Sequence, residues 1–247
     1  MDKIKEFEIE RETLVNSYKH NEKLKSSAKE FLVSSALANY SYNFTWLGRP
    51  IIQWPQDIVA MQEIIWRVKP DLIIETGIAH GGSLIFYSSM LNLLESAGFI
   101  ENGKVLGVDI DIREHNLKAI QSHPFFNKIT MFEGSSISVD MINRVKKFAA
   151  DSKKILVCLD SNHTHEHVYK ELLAYSPFVS NDSYCVVFDT LIEDMPPASY
   201  DRPWDVGNNP RTAVDEFLKT SNEFEIDEFI ANKLQISASL AGYLYKK

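Results

Sequence analysis

The chain is 247 residues long, with 45% hydrophobic residues and a formal net charge of −8 from 26 Lys and Arg against 34 Asp and Glu. This length and apolar content suit one large hydrophobic core of an α/β domain. The acidic balance argues against nucleic acid as a partner, because surfaces that bind nucleic acid neutralise its phosphates with Lys and Arg. A small molecule is the predicted partner.

The sequence contains no apolar run of about 18 residues, which a membrane-spanning helix needs. Its first residues, MDKIKEFEIERETL, are charged where a secretory signal would be apolar. We therefore expect no membrane insertion and a cytoplasmic location. Cys158 and Cys185 both lie in apolar, strand-like runs, so we expect two buried free thiols and no cysteine-based zinc site.

Residues 1–45 are predicted to form a polar helical extension, and residues 46–247 the main domain. Aromatic side chains alternate from Tyr40 to Trp46, a period that favours an extended segment. We expect this segment to pack on the main domain or on a second subunit, and the alternative is a wall of a substrate site. The chain as a whole is expected to form a homo-oligomer.

From residue 55 onward, predicted helices and strands alternate. The helices cover residues 57–68, 83–94, 114–122, 139–150, 166–175 and 213–218, and the strands fall on DLIIE, VLGVDID, KITMFEG, KILVCLD and SYCVVFD, then near EFEID and LAGYLYKK. Repeated β-α-β units predict a Rossmann-like α/β fold with a parallel sheet covered by helices on both faces. Four prolines and a glycine between residues 191 and 210 predict a lid or binding loop. We expect Arg202 and Trp204 in this loop to line the site of the acceptor, the substrate that the protein modifies.

Acidic residues end most of the predicted strands. They are Glu75, Asp109, Asp111, Glu133, Asp160 and Asp189. The carboxyl ends of parallel strands meet at one edge of the sheet, where ligands bind in α/β folds. Each acid by itself is equally consistent with a strand that ends in solvent, but together they favour a ligand rich in positive charge.

The first turn, ETGIAHGGS, runs from Glu75 to Ser83 between a predicted strand and a predicted helix. Gly77 and Gly81 allow a tight turn and close approach of a ligand, and the helix amino terminus offers N–H groups to a carboxylate. The spacing is not G-x-G-x-x-G, which disfavours a nicotinamide-dependent oxidoreductase. S-adenosylmethionine carries an ammonium and a sulfonium and has no pyrophosphate, so it suits an acid just before the glycine. Asp109 is placed to bind a ribose diol.

Asp160 and Asp189 end the fourth and fifth strands, which we expect to be neighbours in the sheet. Two converging carboxylates suit Mg²⁺, which prefers oxygen ligands, and the alternative is a pair of solvated aspartates. If the substrate is a hydroxyl that accepts the methyl group of S-adenosylmethionine, binding to the metal makes this hydroxyl lose its proton more easily. The metal also holds the hydroxyl in line with the methyl group. Of the histidines that follow, His163 lies at the helix entrance and is the predicted general base. His165 and His167 are interpreted as solvated or helix-capping side chains.

Several motifs are spread from residue 44 to the carboxyl terminus. They are WLGRP, WPQD, KPDLIIETGIAHGGS, GVDIDIR, LDSNHTHEHVYKEL and AVDEFL…FEID…GYLYKK. Together they resemble the cephalosporin hydroxylase-like methyltransferases, a group that includes rhamnosyl and other sugar O-methyltransferases. The resemblance implies a class I methyltransferase fold, a seven-stranded sheet whose last strand is antiparallel, and the use of S-adenosylmethionine and magnesium.

The resemblance also assigns roles to individual residues. Cofactor contacts are implied for Glu75, Gly77, Gly81, Ser83, Asp109 and Asp160, with Ser135 near the adenine. Metal ligands are implied at Asp160 and at a Glu-Asp pair that ends the next strand. The pair here is Phe188-Asp189, so one expected ligand is missing, and Thr190, Glu193 or water is left to replace it. Catechol-type O-methyltransferases place a basic catalytic residue three positions after the corresponding aspartate, which is His163 here.

The expected function is transfer of a methyl group from S-adenosylmethionine to a hydroxyl of a small molecule, with a sugar of a surface glycan or secondary metabolite as the expected acceptor. Two alternatives stay open. One is a nicotinamide-dependent oxidoreductase, and the other is a catalytically inactive binding protein on the methyltransferase fold.

Overall fold

The structure, a computed structural model, describes residues 2–247 and consists of one large sheet with helices on both faces. The helices are α1 (Lys3–Tyr18), α2 (Glu22–Leu37), α3 (Pro55–Val68), α4 (Gly82–Ser96), α5 (Glu114–Gln121), α6 (Val139–Ala149), α7 (His165–Tyr175), α8 (Pro210–Thr220) and α9 (Glu228–Leu234). The strands are β1 (Thr45–Trp46), β2 (Arg49–Pro50), β3 (Leu72–Thr76), β4 (Lys104–Asp109), β5 (Ile129–Glu133), β6 (Ile155–Leu159), β7 (Ser183–Val187), β8 (Phe224–Ile226) and β9 (Tyr243–Lys246).

The main sheet has seven strands in the order β5-β4-β3-β6-β7-β9-β8. Strands β3 to β7 pair in parallel, and β9 is antiparallel to both of its neighbours. This confirms the predicted fold class, including the antiparallel last strand. It also confirms that β6 and β7 are neighbours, so the residues that follow them emerge side by side.

The core is divided between the two faces of the sheet. Ile73 and Leu156 face α3 and α4, whereas Ile74 and Val157 face α6, α7 and α8. Successive side chains of a strand point to opposite faces, so a strand covered by helices on both sides must be apolar at every position. This explains why the parallel strands are continuous apolar runs in the sequence. Both cysteines are buried free thiols, as predicted.

The amino-terminal extension is helical, as predicted, but the segment expected to be extended from Tyr40 to Trp46 is extended only from Phe44 onward, where it leads into β1. Tyr40–Asn43 is a 3₁₀ helix that follows Asn39, whose backbone is left-handed with φ of 53°. The side-chain amide of Asn43 donates to the carbonyls of Asn39 and Tyr40, which stabilises the turn. Local hydrogen bonding therefore overrides the alternating pattern of aromatic side chains.

Helix α2 packs on the main domain. Its Leu32 is 2% exposed and belongs to the same core as α3 and α4. The indole Nε1 of Trp54 donates to Ser35 Oγ at 3.3 Å. These contacts bring the end of the extension next to the carboxyl edge of the sheet. Among residues 2–247, no helix is long and apolar enough to cross a membrane.

Candidate active site

A cleft of about 620 Å³ opens at the carboxyl ends of β3, β6 and β7. The turn after β3 forms one side, and the loop after β7 forms the other. The end of the amino-terminal extension contributes a third wall through Ser41 and Tyr42. The cleft therefore lies where the acidic strand ends were expected to converge.

The glycine turn after β3 packs directly against the end of β6. Gly77 has φ of +89°, and a Cβ atom there would lie 2.0 Å from the carbonyl oxygen of Asp160. Gly81, with φ of +78°, precedes the first residue of α4 and also lines the cleft. Only glycine fits position 77, because both the backbone conformation and the neighbouring chain exclude a side chain.

The β1–β2 hairpin, which contains the WLGRP motif, holds this turn from outside. Arg49 Nε donates to the carbonyl of His80 at 3.1 Å. A Cβ atom at Gly82 would lie 2.1 Å from the carbonyl oxygen of Pro50, so the hairpin backbone rests on the start of α4. Asn116 Nδ2 completes the support by donating to the carbonyl of Ala79 at 2.9 Å.

The other predicted cofactor residues lie at different depths. Asp109 Oδ2 accepts from the backbone N–H of Ile78 at 2.7 Å, so this carboxylate braces the glycine turn and keeps Oδ1 near the N–H of Asp111. Ser83 lines the cleft. Ser135 is half-buried in the loop after β5, outside the residues that line the cleft.

Glu75 is fully buried behind Ser83 instead of facing the cleft. Its carboxyl accepts from Ser83 Oγ at 2.6 Å and from the Tyr87 hydroxyl at 3.0 Å. Burial disfavours the charged form and raises the pKa of Glu75 to about 8, with a smaller contribution from the charge of Asp109. Glu75, the acid that precedes the glycine turn, therefore lies beneath the cleft surface, and Ser83 separates it from the cleft.

We expect the stability of the protein to fall as pH rises from about 4.5 toward 8, because the unfolded chain ionises Glu75 in this range while the folded chain keeps it protonated. The slope contributed by one such group is about 1.4 kcal/mol of unfolding free energy per pH unit. Urea denaturation of the wild type and of Glu75→Gln at several pH values measures this difference in slope. Glu133→Gln, at an exposed strand end, is the control and should keep the wild-type slope.

Asp160, His163 and Asp189 form a compact cluster at the floor of the cleft. One ligand atom from each lies within 4.8 Å of the others, and His163 Nε2 is 3.0 Å from Asp189 Oδ2. Burial and the charge of Asp189 raise the pKa of Asp160 well above its usual range. Burial lowers the pKa of His163, but the charge of Asp189 and its hydrogen bond prevail and raise it. A divalent cation fits this donor set, since it would offset the repulsion between the two carboxylates.

At position 188, where the family resemblance implies a metal-binding Glu, the side chain packs in the hydrophobic core. Phe188 is 2% exposed and belongs to the hydrophobic core. Thr190 is also buried, and its hydroxyl donates to the carbonyl of Ala238. Glu193 Oε2 accepts from the backbone N–H of Gly207 at 2.8 Å. Neither Thr190 nor Glu193 faces the cluster in this arrangement, and water is left to complete the coordination.

The interpretation of His165 and His167 as solvated or capping residues is wrong. His165 Nδ1 lies 2.8 Å from Thr212 Oγ1, and its Nε2 lies 3.1 Å from Glu216 of α8. His167 Nε2 lies 3.1 Å from Ser161 Oγ. The partners of His165 come from α8, so local spacing contained no signal for them, whereas His167 bonds within its own stretch of chain, to Ser161 and to Glu171 one helical turn later.

Trp204 and Tyr200 bring the proline-rich loop into the cleft. The indole of Trp204 packs edge to face on the His163 imidazole, with ring centroids 4.7 Å apart. The cleft floor also includes Gln53 and Trp54, which sequence reasoning missed. Trp54 belongs to the WPQD motif, and the only signal for Gln53 was its place in the segment between the hairpin and α3.

The seven-stranded sheet with an antiparallel last strand, together with a glycine turn beside strand-end acids, defines the class of S-adenosylmethionine-dependent methyltransferases. Residues 38–247 match the family described as Rhamnosyl O-methyltransferase/CmcI, and the chain belongs to this family. The predicted family and the predicted class of enzyme, an O-methyltransferase, are thereby confirmed. The family gives no support to a nicotinamide-dependent oxidoreductase.

Individual relatives agree with this assignment. The chain is 26% identical over 212 residues to a rhamnosyl O-methyltransferase of Mycobacterium leprae, covering 85% of this chain and 86% of the relative. It is 27% identical over 205 residues to the rhamnosyl O-methyltransferase of Mycobacterium tuberculosis H37Rv, covering 82% of this chain and 78% of the relative.

Solved structures share the fold. A CmcI structure with Mg and SAM has a TM-score of 0.58 at 16% identity, covering 83% of this chain and 77% of that one. CalS11, a TDP-rhamnose 3'-O-methyltransferase, has a TM-score of 0.50 at 14% identity, covering 79% of this chain and 84% of that one.

Proposed function

We propose that this protein transfers the methyl group of S-adenosylmethionine to a hydroxyl of a sugar, assisted by a divalent cation such as Mg²⁺ held by Asp160 and Asp189. The observation that carries the proposal is the cluster of Asp160, His163 and Asp189 directly beside the glycine turn. The names of the mycobacterial relatives support a sugar as the acceptor. We also propose that residues 46–247 form the methyltransferase domain and that residues 1–45 form its helical extension.

Cofactor binding is proposed to use the carboxyl edge of β3 and β4. Gly77 and Gly81 let the cofactor approach the backbone closely, and the amino terminus of α4 offers N–H groups to its carboxylate. Asp109 is proposed to meet the ribose, and Ser135 the adenine. Ser83 contacts the cofactor directly, and Glu75 beneath it accepts the Ser83 hydroxyl hydrogen bond and so fixes the orientation of that side chain.

Methyl transfer is proposed to proceed by in-line displacement at the floor of the cleft. The cation, when bound, lowers the pKa of the acceptor hydroxyl. His163 removes the hydroxyl proton, and Asp189 orients the imidazole and stabilises its charged form through the 3.0 Å contact. Asp160 lies beside both the cofactor turn and Asp189, so it fixes the acceptor relative to the methyl group.

The test is incubation of the protein with methyl-labelled S-adenosylmethionine, Mg²⁺ and a panel of rhamnosides and other glycosides, followed by mass spectrometry. We expect label on a sugar oxygen. Binding of S-adenosylhomocysteine without transfer to any acceptor in the panel would favour the inactive binding protein. Stabilisation by NAD but not by S-adenosylhomocysteine in a thermal-shift assay would contradict the cofactor assignment.

Trp204 is proposed to form an aromatic platform for the acceptor ring. We expect Trp204→Ala to raise KM for the sugar by about tenfold, because an aromatic contact of this kind is worth about 1 kcal/mol or slightly more. Initial-rate kinetics at saturating cofactor measure the change. Trp66→Ala is the matched control, since Trp66 is a half-exposed tryptophan packed edge to face on Phe99 of the α4–β4 connection. An equal rise in KM in both variants would contradict the proposal that Trp204 forms this platform.

Homo-oligomer formation is also proposed. Ile4, Phe7 and Leu14 lie on one face of α1 and are 67%, 63% and 55% exposed. Apolar side chains grouped in this way favour a protein contact surface. Light scattering after size exclusion measures the mass, and a monomer at all concentrations would contradict the proposal.

A further inference from the structure

Asp57 is a fully buried carboxyl in the first turn of α3. Its Oδ1 accepts from Ser237 Oγ at 2.5 Å and from the Tyr243 hydroxyl at 2.6 Å. Its Oδ2 accepts from the backbone N–H of Ala238 at 2.9 Å. A buried carboxyl costs free energy unless donors surround it, and here all three donors come from one carboxyl-terminal segment.

Ala238 connects this carboxyl to the loop after β7. Its N–H binds Asp57, whereas its carbonyl accepts from the backbone N–H of Leu191 at 3.2 Å and from Thr190 Oγ1 at 3.4 Å. Ser239 N–H donates to Ser237 Oγ at 2.8 Å and tightens the same segment. The two residues that follow Asp189 are therefore tied to Asp57 through the backbone of one residue, Ala238.

Asp189 itself has a left-handed backbone, with φ of 57°. A non-glycine residue keeps this conformation when its surroundings determine it. The backbone on its other side is also tied to the carboxyl-terminal segment, because Val187 N–H donates to the carbonyl of Gly242 at 2.8 Å. The loop that presents the Asp189 carboxylate is thus fixed at both ends by residues 238–242.

We infer that Asp57 is a positioning residue for the catalytic cluster: it anchors Ala238, and Ala238 fixes the turn that directs Asp189 toward His163 and the cation. The functional part of this inference rests on the proposed role of Asp189. Asp57 lies well outside the cluster in the sequence and contacts neither acceptor nor cofactor in this role. Its effect is on the orientation of Asp189 and not on the glycine turn.

Asp57→Leu tests the inference, because an apolar side chain of similar shape cannot accept the hydrogen bond of the Ala238 N–H. In a crystal structure of this variant we expect the Leu191–Ala238 hydrogen bond to be lost and the Asp189–His163 separation to exceed about 4 Å. Calorimetry should show Mn²⁺ binding weakened by about tenfold, as for other supports of metal ligands. Binding of S-adenosylhomocysteine should stay within about twofold of the wild type, because the glycine turn lies apart from this network.

Tyr184→Phe is the matched control. It removes a buried hydroxyl from β7 that donates to Asp227 at 2.6 Å, at the end of the strand opposite the cleft. We expect a loss of stability with unchanged Mn²⁺ binding. Ser237→Ala, a milder change that keeps Asp57, should weaken Mn²⁺ binding in the same direction and serves if Asp57→Leu does not fold.

An unchanged Asp189–His163 distance in Asp57→Leu, or an equal loss of Mn²⁺ and S-adenosylhomocysteine binding, would overturn the inference and leave Asp57 a structural residue. If the wild type binds no Mn²⁺, the cation in the proposed function fails. The crystal structures of the variants still decide whether Asp57 orients Asp189.

Discussion

Replacing His163 with alanine is expected to lower kcat by about 10²–10³-fold, the range typical of losing a general base. The imidazole lies at the floor of the cleft, 3.0 Å from the Asp189 carboxylate, and no other histidine joins this cluster among the described residues 2–247. Single-turnover methyl transfer at saturating cofactor and acceptor measures the effect. His165→Ala is the control, since His165 is turned toward α8.

Binding measurements on His163→Ala separate two roles for the imidazole. As a base, His163 contributes to the chemical step, so S-adenosylhomocysteine and Mn²⁺ should bind the variant nearly as tightly as the wild type. A selective loss of Mn²⁺ binding would instead make His163 a third ligand in place of the absent carboxylate at position 188. Full turnover of His163→Ala at neutral pH would show that His163 is not the general base.

Asp189→Asn is expected to abolish the stimulation of methyl transfer by Mg²⁺ and to lower kcat by at least about 10³-fold. The change removes one of the two carboxylates available to the cation and also the partner of His163. Asparagine tolerates the left-handed backbone at this position, so the loop should keep its shape. The assay compares initial rates with Mg²⁺ and with a chelator.

The same variant should be more stable than the wild type in the absence of metal. Burial and, next to it, the charge of Asp189 raise the pKa of Asp160, so ionising Asp160 beside Asp189 costs free energy in the folded protein. Removing one charge relieves this repulsion, and the asparagine carbonyl can still accept a hydrogen bond from His163 Nε2, so a higher melting temperature should accompany the loss of activity. Asp111→Asn, at an exposed strand end, should change neither quantity. A less stable and fully active Asp189→Asn would contradict both expectations.

Most of the sheet was predictable because helices cover both of its faces. The runs around Ile74 and Val157 are apolar at every position, and helical periodicity separates them. Two short elements, the β1–β2 hairpin and α9, were not predicted. The hairpin around Gly48 has only two residues in each strand, and α9 has seven, so neither contains enough sequence for a periodic signal.

The convergence of Asp160 and Asp189 was predictable from topology alone, since parallel neighbouring strands end at the same edge. The depth of Glu75 was not, because the sequence does not reveal that Ser83 and Tyr87 cover its carboxyl. The link from Asp57 to Ala238 spans 181 positions and depends on how α3 meets the carboxyl-terminal segment. Such long-range polar contacts have no local pattern.

The most direct test of the account is anomalous diffraction from crystals of the protein grown with S-adenosylhomocysteine and Mn²⁺. We predict one strong peak within bonding distance of the Asp160 and Asp189 carboxylates, next to the cofactor sulfur. A cofactor bound at the glycine turn with no peak between these two carboxylates would contradict cation-assisted methyl transfer by this protein.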